Sequence, residues 1–182
     1  VGGRVESPLT LLREYVVALS RLLAGETVTT SGRYVSLDAV ALDWPPQQPV
    51  PVLGGGVGPR TLELLGEVAS GVLLDSRNSP TDVVAALEHV DAGARLPGRA
   101  RPDIALLLLT VRGEAARERL ASYVGELSGD PATEPGLAGD AATVAAGVRR
   151  FADAGVGTVV LTPPEDEPDI VRGLKDAFEF EG

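Results

Sequence analysis

Residues 50–75 have the sequence VPVLGGGVGPRTLELLGEVASGVLLD, and this stretch decides the fold. An apolar strand ends in a glycine-rich turn, Pro59 opens a helix, and a second apolar strand runs to Asp75. Strands that are apolar at every position are typical of parallel sheets covered on both faces. The stretch therefore predicts a strand–helix–strand unit of the α/β class.

The same alternation continues to the end of the chain. Apolar strands are predicted at residues 50–53, 71–74, 104–111 and 157–162. Helices are predicted from Pro59, Ser79-Pro80, Glu114, Ala141 and Pro168, the last of them ending near Phe178. A closed eight-stranded barrel typically needs about 250 residues. The predicted fold is therefore α/β with TIM-barrel-type βα repeats, four parallel strands forming half of a (β/α)8 barrel; a small open sheet is the alternative.

A helix and a hairpin precede this alternation. The helix is predicted from Ser7-Pro8 to Gly25, and the hairpin turns at Ser31-Gly32. Residues 26–49 are interpreted as a hairpin and loop insertion within a single domain spanning residues 1–182. In this loop, Trp44 is expected to pack the hairpin against the barrel rather than to cover a ligand. The Gly/Pro-rich, acidic residues 128–140 are predicted to form a mobile loop.

Composition excludes several classes of function. Sixteen basic and 26 acidic residues give a formal charge of −10, which argues against binding of nucleic acid or an anionic membrane. The chain has no cysteine and one histidine, which excludes thiolate and multi-histidine metal sites, so no metal is predicted. It has neither a signal-peptide pattern nor an apolar run of about 18 residues. Composition therefore predicts an acidic, cytoplasmic globular protein.

The glycine-rich turn is the first candidate binding site. Gly54, Gly55, Gly56, Val57 and Gly58 join a strand to a helix, where backbone N–H groups and the helix dipole favour an anion. The alternative is a tight turn whose glycines supply positive φ angles. The dinucleotide motif GxGxxG fails because Pro59 stands at its third glycine. A degenerate P-loop is a weaker hypothesis, since Pro59-Arg60-Thr61 replaces Gly-Lys-Ser/Thr.

The second candidate site follows the next strand. Asp75, Ser76, Arg77 and Asn78 lie where active sites of α/β proteins gather, and Arg77 could hold a phosphate or carboxylate. They are interpreted as substrate-binding residues. The alternative is a polar loop that leads into a capped helix.

Several segments together resemble the luciferase-like flavin- or F420-dependent oxidoreductases. They are Leu12-Arg13-Glu14-Tyr15, Leu23–Val28, Gly32–Val35, Pro51–Leu53, Gly58–Leu62, Gly66-Glu67 and Gly71–Leu74. The resemblance implies a TIM barrel that binds FMN or F420 at its carboxyl face, with Gly54–Gly58 against the cofactor's phosphate-bearing tail. It also implies that Asp75–Asn78 lie near cofactor or substrate. One departure is Ala69-Ser70-Gly71, where the family usually has Ala-Asp-Gly.

The resemblance covers only the family's C-terminal half. It implies that the first four strands, with most catalytic groups, are missing, so the catalytic residues are unknown and this chain alone is expected to be incomplete. With that half supplied, the implied reaction is hydride transfer or flavin-dependent monooxygenation. The alternative is a non-catalytic half-barrel that serves as an assembly or binding module. Unclosed sheet edges predict a homo-oligomer, association with an N-terminal half, or a chain that continues upstream of Val1.

Overall fold

The computed structural model describes residues 5–95, 100–125, 129–130 and 133–164. Its elements in chain order are α1 (Pro8–Leu23), β1 (Val28–Ser31), β2 (Ser36–Val40), β3 (Leu53–Gly55), α2 (Pro59–Val68), β4 (Gly71–Leu74), α3 (Pro80–Ala94), β5 (Asp103–Arg112), α4 (Ala116–Val124), β6 (Leu137–Gly139), α5 (Ala141–Asp153) and β7 (Thr158–Thr162). The fold class is α/β with a parallel sheet and intervening helices, which confirms the predicted fold class.

The chain divides into two compact units. One contains Val1–Val72 and Glu88–Pro102, and the other contains Leu73–Leu87 and Asp103–Gly182. The prediction of a single domain over residues 1–182 stays a prediction. Among the described residues, no helix combines the length and the apolar character that a membrane crossing requires.

In the first unit, α1 and the hairpin form as predicted. Pro8 occupies the first turn of α1, and Gly25 follows its end with a φ of +81°. Strands β1 and β2 are antiparallel, with Ser31 opposite Ser36. The turn between them is longer than predicted, since the second strand begins at Ser36 rather than at Tyr34.

A single carboxylate fixes the hairpin turn to α1. The Glu14 side chain accepts hydrogen bonds from the backbone N–H groups of Arg33 (2.9 Å), Tyr34 (2.7 Å) and Val35 (2.8 Å). In return, the Tyr34 hydroxyl accepts the backbone N–H of Ser7 at 2.7 Å, next to the start of α1. These bonds satisfy donors that would otherwise have no partner at a turn and at a helix terminus.

Two glycines let α2 and the second half of α3 approach backbone to backbone. A Cβ atom on Gly66 would lie 2.1 Å from the Val90 carbonyl oxygen, and one on Gly93 would lie 1.8 Å from the Glu63 carbonyl oxygen. The two positions are reciprocal, because each glycine lies against the backbone of the other helix. This contact fixes α2, whose N-terminus carries the glycine-rich turn.

In the second unit, β5 is the central strand. Its residues Ala105–Leu109 pair in parallel with β7, and Thr110–Arg112 pair in parallel with the short strand β6. Leu106 and Leu108 are fully buried. The long apolar run predicted at 104–111 is therefore a strand that pairs with β7 over its first part and with β6 at its end.

Three predicted elements need correction. The strand predicted at 50–53 lies at Leu53–Gly55, because pairing extends it into glycines that have low strand propensity. The loop predicted at 128–140 contains β6, a strand of three residues that exists only through its pairing with β5. The helix predicted from Glu114 begins at Ala116, after Ala115 in a left-handed conformation.

Trp44 does not pack the hairpin against any described part of the chain, so that prediction is wrong. Its side chain is 89% exposed. The helix predicted from Pro168 to Phe178 lies outside the described residues.

Candidate functional site

The glycine-rich turn exposes backbone between a strand and a helix. Gly54 and Gly55 end β3, Gly58 is the N-cap of α2, and Val57 is 69% exposed. The Gly58 carbonyl oxygen accepts the N–H groups of Thr61 at 2.9 Å and Leu62 at 3.0 Å, which closes the first helical turn. Pro59 at the first helical position has no N–H to offer.

The glycines of the turn are not explained by positive φ angles. Gly54, Gly55, Gly56 and Gly58 all lie outside the left-handed region, and Gly58 has φ −94° and ψ 149°. The alternative of a tight turn that needs left-handed glycines is therefore wrong for this turn.

Packing explains Gly54 and Gly56 but not Gly58. A Cβ on Gly54 would lie 2.1 Å from Leu65 Cδ2, and one on Gly56 would lie 2.4 Å from Thr61 Cγ2. A Cβ on Gly58 would meet no atom of a described residue within 4 Å. The space beside Gly58 is therefore available for a ligand to approach the backbone closely.

The turn also carries backbone hydrogen-bond donors. Within the described part of the chain, the N–H groups of Val57, Gly58 and Arg60 have no hydrogen-bond acceptor. The Arg60 side chain is exposed, two residues after Gly58, and forms no ion pair with a described residue. From the sequence, Arg60 was considered only as a departure from the P-loop motif, and its position as a cation beside the turn was missed. The available signal was that it directly follows Pro59, which opens the helix.

The Asp75–Asn78 loop belongs to the other unit, and its polar groups bind one another. The Asp75 carboxylate accepts the Arg77 backbone N–H at 3.0 Å, Arg77 Nε at 3.0 Å and Arg77 Nη2 at 2.5 Å. The Asn78 side-chain amide donates to the Asp75 carbonyl oxygen at 3.0 Å. The Arg77 side chain is nevertheless exposed, so the loop presents to solvent a guanidinium group whose orientation is set by Asp75.

Asp75 and Arg77 of this loop stabilise each other's charged forms. Hydrogen bonds from the Arg77 side chain hold the pKa of Asp75 below its ordinary value, and those bonds raise the pKa of Arg77. Asp75 is therefore ionised at neutral pH and is unsuited to act as a general acid. The loop ends at α3, where Asp82 accepts hydrogen bonds from the backbone and hydroxyl of Ser79 at 2.9 and 2.7 Å, a reciprocal cap.

The described residues contain no group of three or more histidine, aspartate or glutamate side chains arranged to hold a metal. The two candidate segments are the glycine-rich turn and the Asp75–Asn78 loop. The first offers backbone donors beside open space, and the second offers an oriented arginine. Both features suit anionic groups of a ligand.

A family model described as luciferase-like monooxygenase matches residues 1–157. The chain belongs to the luciferase-like monooxygenase family. The predicted resemblance and the predicted fold class are both confirmed. Assignment of these residues to the C-terminal half of the barrel, and of Gly54–Gly58 and Asp75–Asn78 to ligand binding, stays a prediction.

Similar proteins of this luciferase-like family carry reductase and dehydrogenase names. The chain is 32% identical over 127 residues to a 5,10-methylenetetrahydromethanopterin reductase of Methanolobus tindarius, which covers 68% of this chain and 38% of that relative.

Two solved structures share the luciferase-like fold. The coenzyme F420 dependent tetrahydromethanopterin reductase of Methanopyrus kandleri matches with a TM-score of 0.73 at 22% identity, covering 92% of this chain and 61% of that one. An F420-dependent secondary alcohol dehydrogenase in complex with an F420-acetone adduct matches with a TM-score of 0.75 at 19% identity, covering 96% and 62%. The chain thus spans less than two thirds of each protein's length.

Proposed function

We propose that this chain forms part of an oxidoreductase that uses coenzyme F420 to transfer a hydride to or from a small-molecule substrate. Family membership and the F420-dependent enzymes among its structural neighbours support this function. The observation that carries the proposal is the Gly58 backbone: among the described residues, its N–H has no acceptor and no atom lies within 4 Å of where a side chain would stand.

The residues of the turn fit the phosphate-bearing tail of such a cofactor. The N–H groups of Val57, Gly58 and Arg60 would donate to phosphate oxygens, and the positive end of the α2 dipole adds a favourable charge. The Arg60 guanidinium would provide a full positive charge in a protein of formal charge −10. When bound, the cofactor supplies the hydride chemistry, while the chain binds and orients it.

The Asp75–Asn78 loop would face the substrate. Asp75 orients Arg77 through two side-chain hydrogen bonds and leaves Nη1 without a partner among the described residues. An anionic or carbonyl oxygen of the substrate would bind there. Because Asp75 neutralises much of the arginine charge, this contact would position the substrate more than it would attract it.

A second candidate is flavin-dependent monooxygenation with FMN, which the description of the family model favours. FMN also carries a phosphate, so the turn would suit either cofactor. We propose that turnover needs further barrel strands, whereas phosphate binding at the turn is a property of this chain.

The test is a titration of the 182-residue chain with F420, and separately with FMN, followed by cofactor fluorescence. Gly58→Val fits the extended backbone at this N-cap and should change the unfolding free energy by no more than about 1 kcal/mol. Its side chain would fill the space beside the turn, so the F420 dissociation constant should rise at least ~10-fold.

Gly157→Ala is the matched control, because its backbone is outside the left-handed region and a Cβ there would lie 3.7 Å from the nearest described atom. It should leave affinity and stability unchanged. Equal F420 affinity in the Gly58→Val and wild-type chains would contradict the proposed site, and saturable binding of FMN alone would favour the second candidate.

A further inference from the structure

A cavity of about 110 Å³ lies in the second unit, where α4, β6 and α5 meet. It contains no residue of the glycine-rich turn or of the Asp75–Asn78 loop, so the proposed function gives it no role. The side chains that form it include Arg117 and Leu120 of α4, Glu134 and Leu137 in and before β6, and Thr143 and Arg150 of α5.

One wall of the cavity is the face of α5 that carries Thr143 and Arg150. Gly147 lies between them on this face, and a Cβ there would lie 2.2 Å from Leu137 Cδ2, so α5 packs closely on β6. Helical side chains point back toward the N-terminus of their helix. This direction brings the Arg150 side chain to the cavity rather than past the end of α5.

The inner surface of the cavity is apolar. Leu120 is 2% exposed and Leu137 is 4% exposed. Gly136 has a φ of +77°, and a Cβ there would lie 2.9 Å from Leu120 Cδ1, so the chain before β6 passes close to this leucine. Polar groups pressed against such a surface would lose water without gaining hydrogen bonds. A ligand of this cavity therefore needs an apolar part.

The charges at the cavity favour an anionic group beside Arg150. The Arg117 guanidinium donates two hydrogen bonds to the Glu134 carboxylate, that from Nη1 to Oε2 at 3.1 Å. The Gly129 backbone N–H donates to the same carboxylate at 2.5 Å. These bonds offset the charge of Glu134, whereas the exposed Arg150 forms no ion pair with a described residue.

We infer that this cavity binds a small aliphatic monocarboxylate of three to five carbon atoms. Its carboxylate pairs with Arg150 through charge-assisted hydrogen bonds, and its alkyl chain lies on Leu120 and Leu137. A cavity of about 150 Å³ holds a benzene molecule. The cavity of about 110 Å³ therefore has room for a short alkyl chain, with the carboxylate at the exposed Arg150.

The test is a titration of the isotope-labelled 182-residue chain with sodium butyrate, followed by backbone amide NMR at constant ionic strength. The amide signals of Leu137, Thr143 and Gly147 should shift in a saturable way. Those of Val57 and Gly58, in the glycine-rich turn, should stay in place. One ion pair and a short alkyl chain correspond to a dissociation constant on the order of millimolar.

Arg150→Gln removes the positive charge and keeps a long polar side chain, so the butyrate dissociation constant should rise at least ~10-fold. Arg149→Gln is the matched control, because Arg149 is the adjacent exposed arginine of α5 and does not line the cavity. It changes the net charge equally and should leave the dissociation constant unchanged. Thermal melts of both variants would verify that they fold.

A second series tests the apolar surface. Acetate lacks two methylene groups of butyrate, so it should bind roughly 10-fold more weakly. Butylammonium has the same alkyl chain with a positive charge, and it should produce no saturable shift.

Three results would overturn the inference. The first is a butyrate titration without saturable shifts at the cavity. The second is equal butyrate affinity in the Arg150→Gln and Arg149→Gln variants. The third is acetate or inorganic phosphate binding as tightly as butyrate, since the apolar surface would then take no part. Because F420 is absent from the assay, failure here leaves the test of the proposed function untouched.

Discussion

The hairpin turn and the glycine-rich turn differ in what their backbone N–H groups bind. In the hairpin turn, the N–H groups of Arg33, Tyr34 and Val35 converge on the Glu14 carboxylate, an anion that the chain itself provides. In the glycine-rich turn, the N–H groups of Val57 and Gly58 have no acceptor among the described residues. Donors without a described acceptor, rather than the glycines alone, are what the proposed binding turn has and the structural hairpin turn lacks.

The largest effect is expected from a substitution that disturbs the contact between α2 and α3, which holds the glycine-rich turn in place. Gly93→Ala places a Cβ against the Glu63 carbonyl oxygen, so α2 and α3 must separate. Overpacking against rigid backbone lies at the upper end of the ~1–3 kcal/mol range, and the better helix propensity of alanine offsets up to ~1 kcal/mol. The unfolding free energy in urea should therefore fall by about 2 kcal/mol, with F420 affinity reduced as well.

Gly157→Ala is again the control, since it adds the same methyl group at a position with room for it. Stability of Gly93→Ala equal to that of this control would show that the two helices are not in tight contact, and the account of how the turn is held would fail.

A smaller effect is expected when the hairpin turn loses the Glu14 carboxylate. Three backbone hydrogen bonds, those from Tyr34 and Val35 foremost, hold the pKa of Glu14 below its ordinary value of 4.5. A lowered folded pKa means that the ionised carboxylate stabilises the fold above pH 4.5, and that this contribution is lost as the pH falls through the folded pKa. Glu14→Gln should lower the thermal midpoint at pH 7, and the difference from wild type should shrink below about pH 4.5.

Glu63→Gln is the control for this pH series, because Glu63 is exposed and its side chain forms no hydrogen bond with a described residue. It should melt as the wild type does at pH 7. A Glu14→Gln difference that is constant from pH 7 to pH 3 would contradict the role assigned to the ionised carboxylate.

The sequence predicted the alternation of strands and helices because local patterns encode it. Proline marks the first turn of α1 and α2, and unbroken apolar runs mark the buried strands. β6 was missed because its three residues carry no periodic signal and form a strand only by pairing with Thr110–Arg112, which lie 25 or more positions earlier. Long-range pairing of this kind overrides local propensity.

The positions of the candidate sites could be predicted from the sequence, but the hydrogen-bond partners of their residues could not. A run of polar residues at 75–78 was expected to be available for substrate, yet Asp75 and Asn78 are engaged within the loop itself. Nothing in the spacing of Glu14 and Val35 indicates that one would accept the other's N–H, since they lie 21 residues apart. The surroundings of Gly58 likewise depend on where α2 lies, which only the folded chain reveals.

The most direct test of the central claim is a backbone amide NMR spectrum of the isotope-labelled chain, recorded with increasing F420. The account predicts that the amide signals of Val57, Gly58 and Arg60 shift in a saturable way, while those of Tyr34 and Val35, already bonded to Glu14, stay in place. Saturable F420 binding that leaves the signals of Val57, Gly58 and Arg60 unmoved would contradict it.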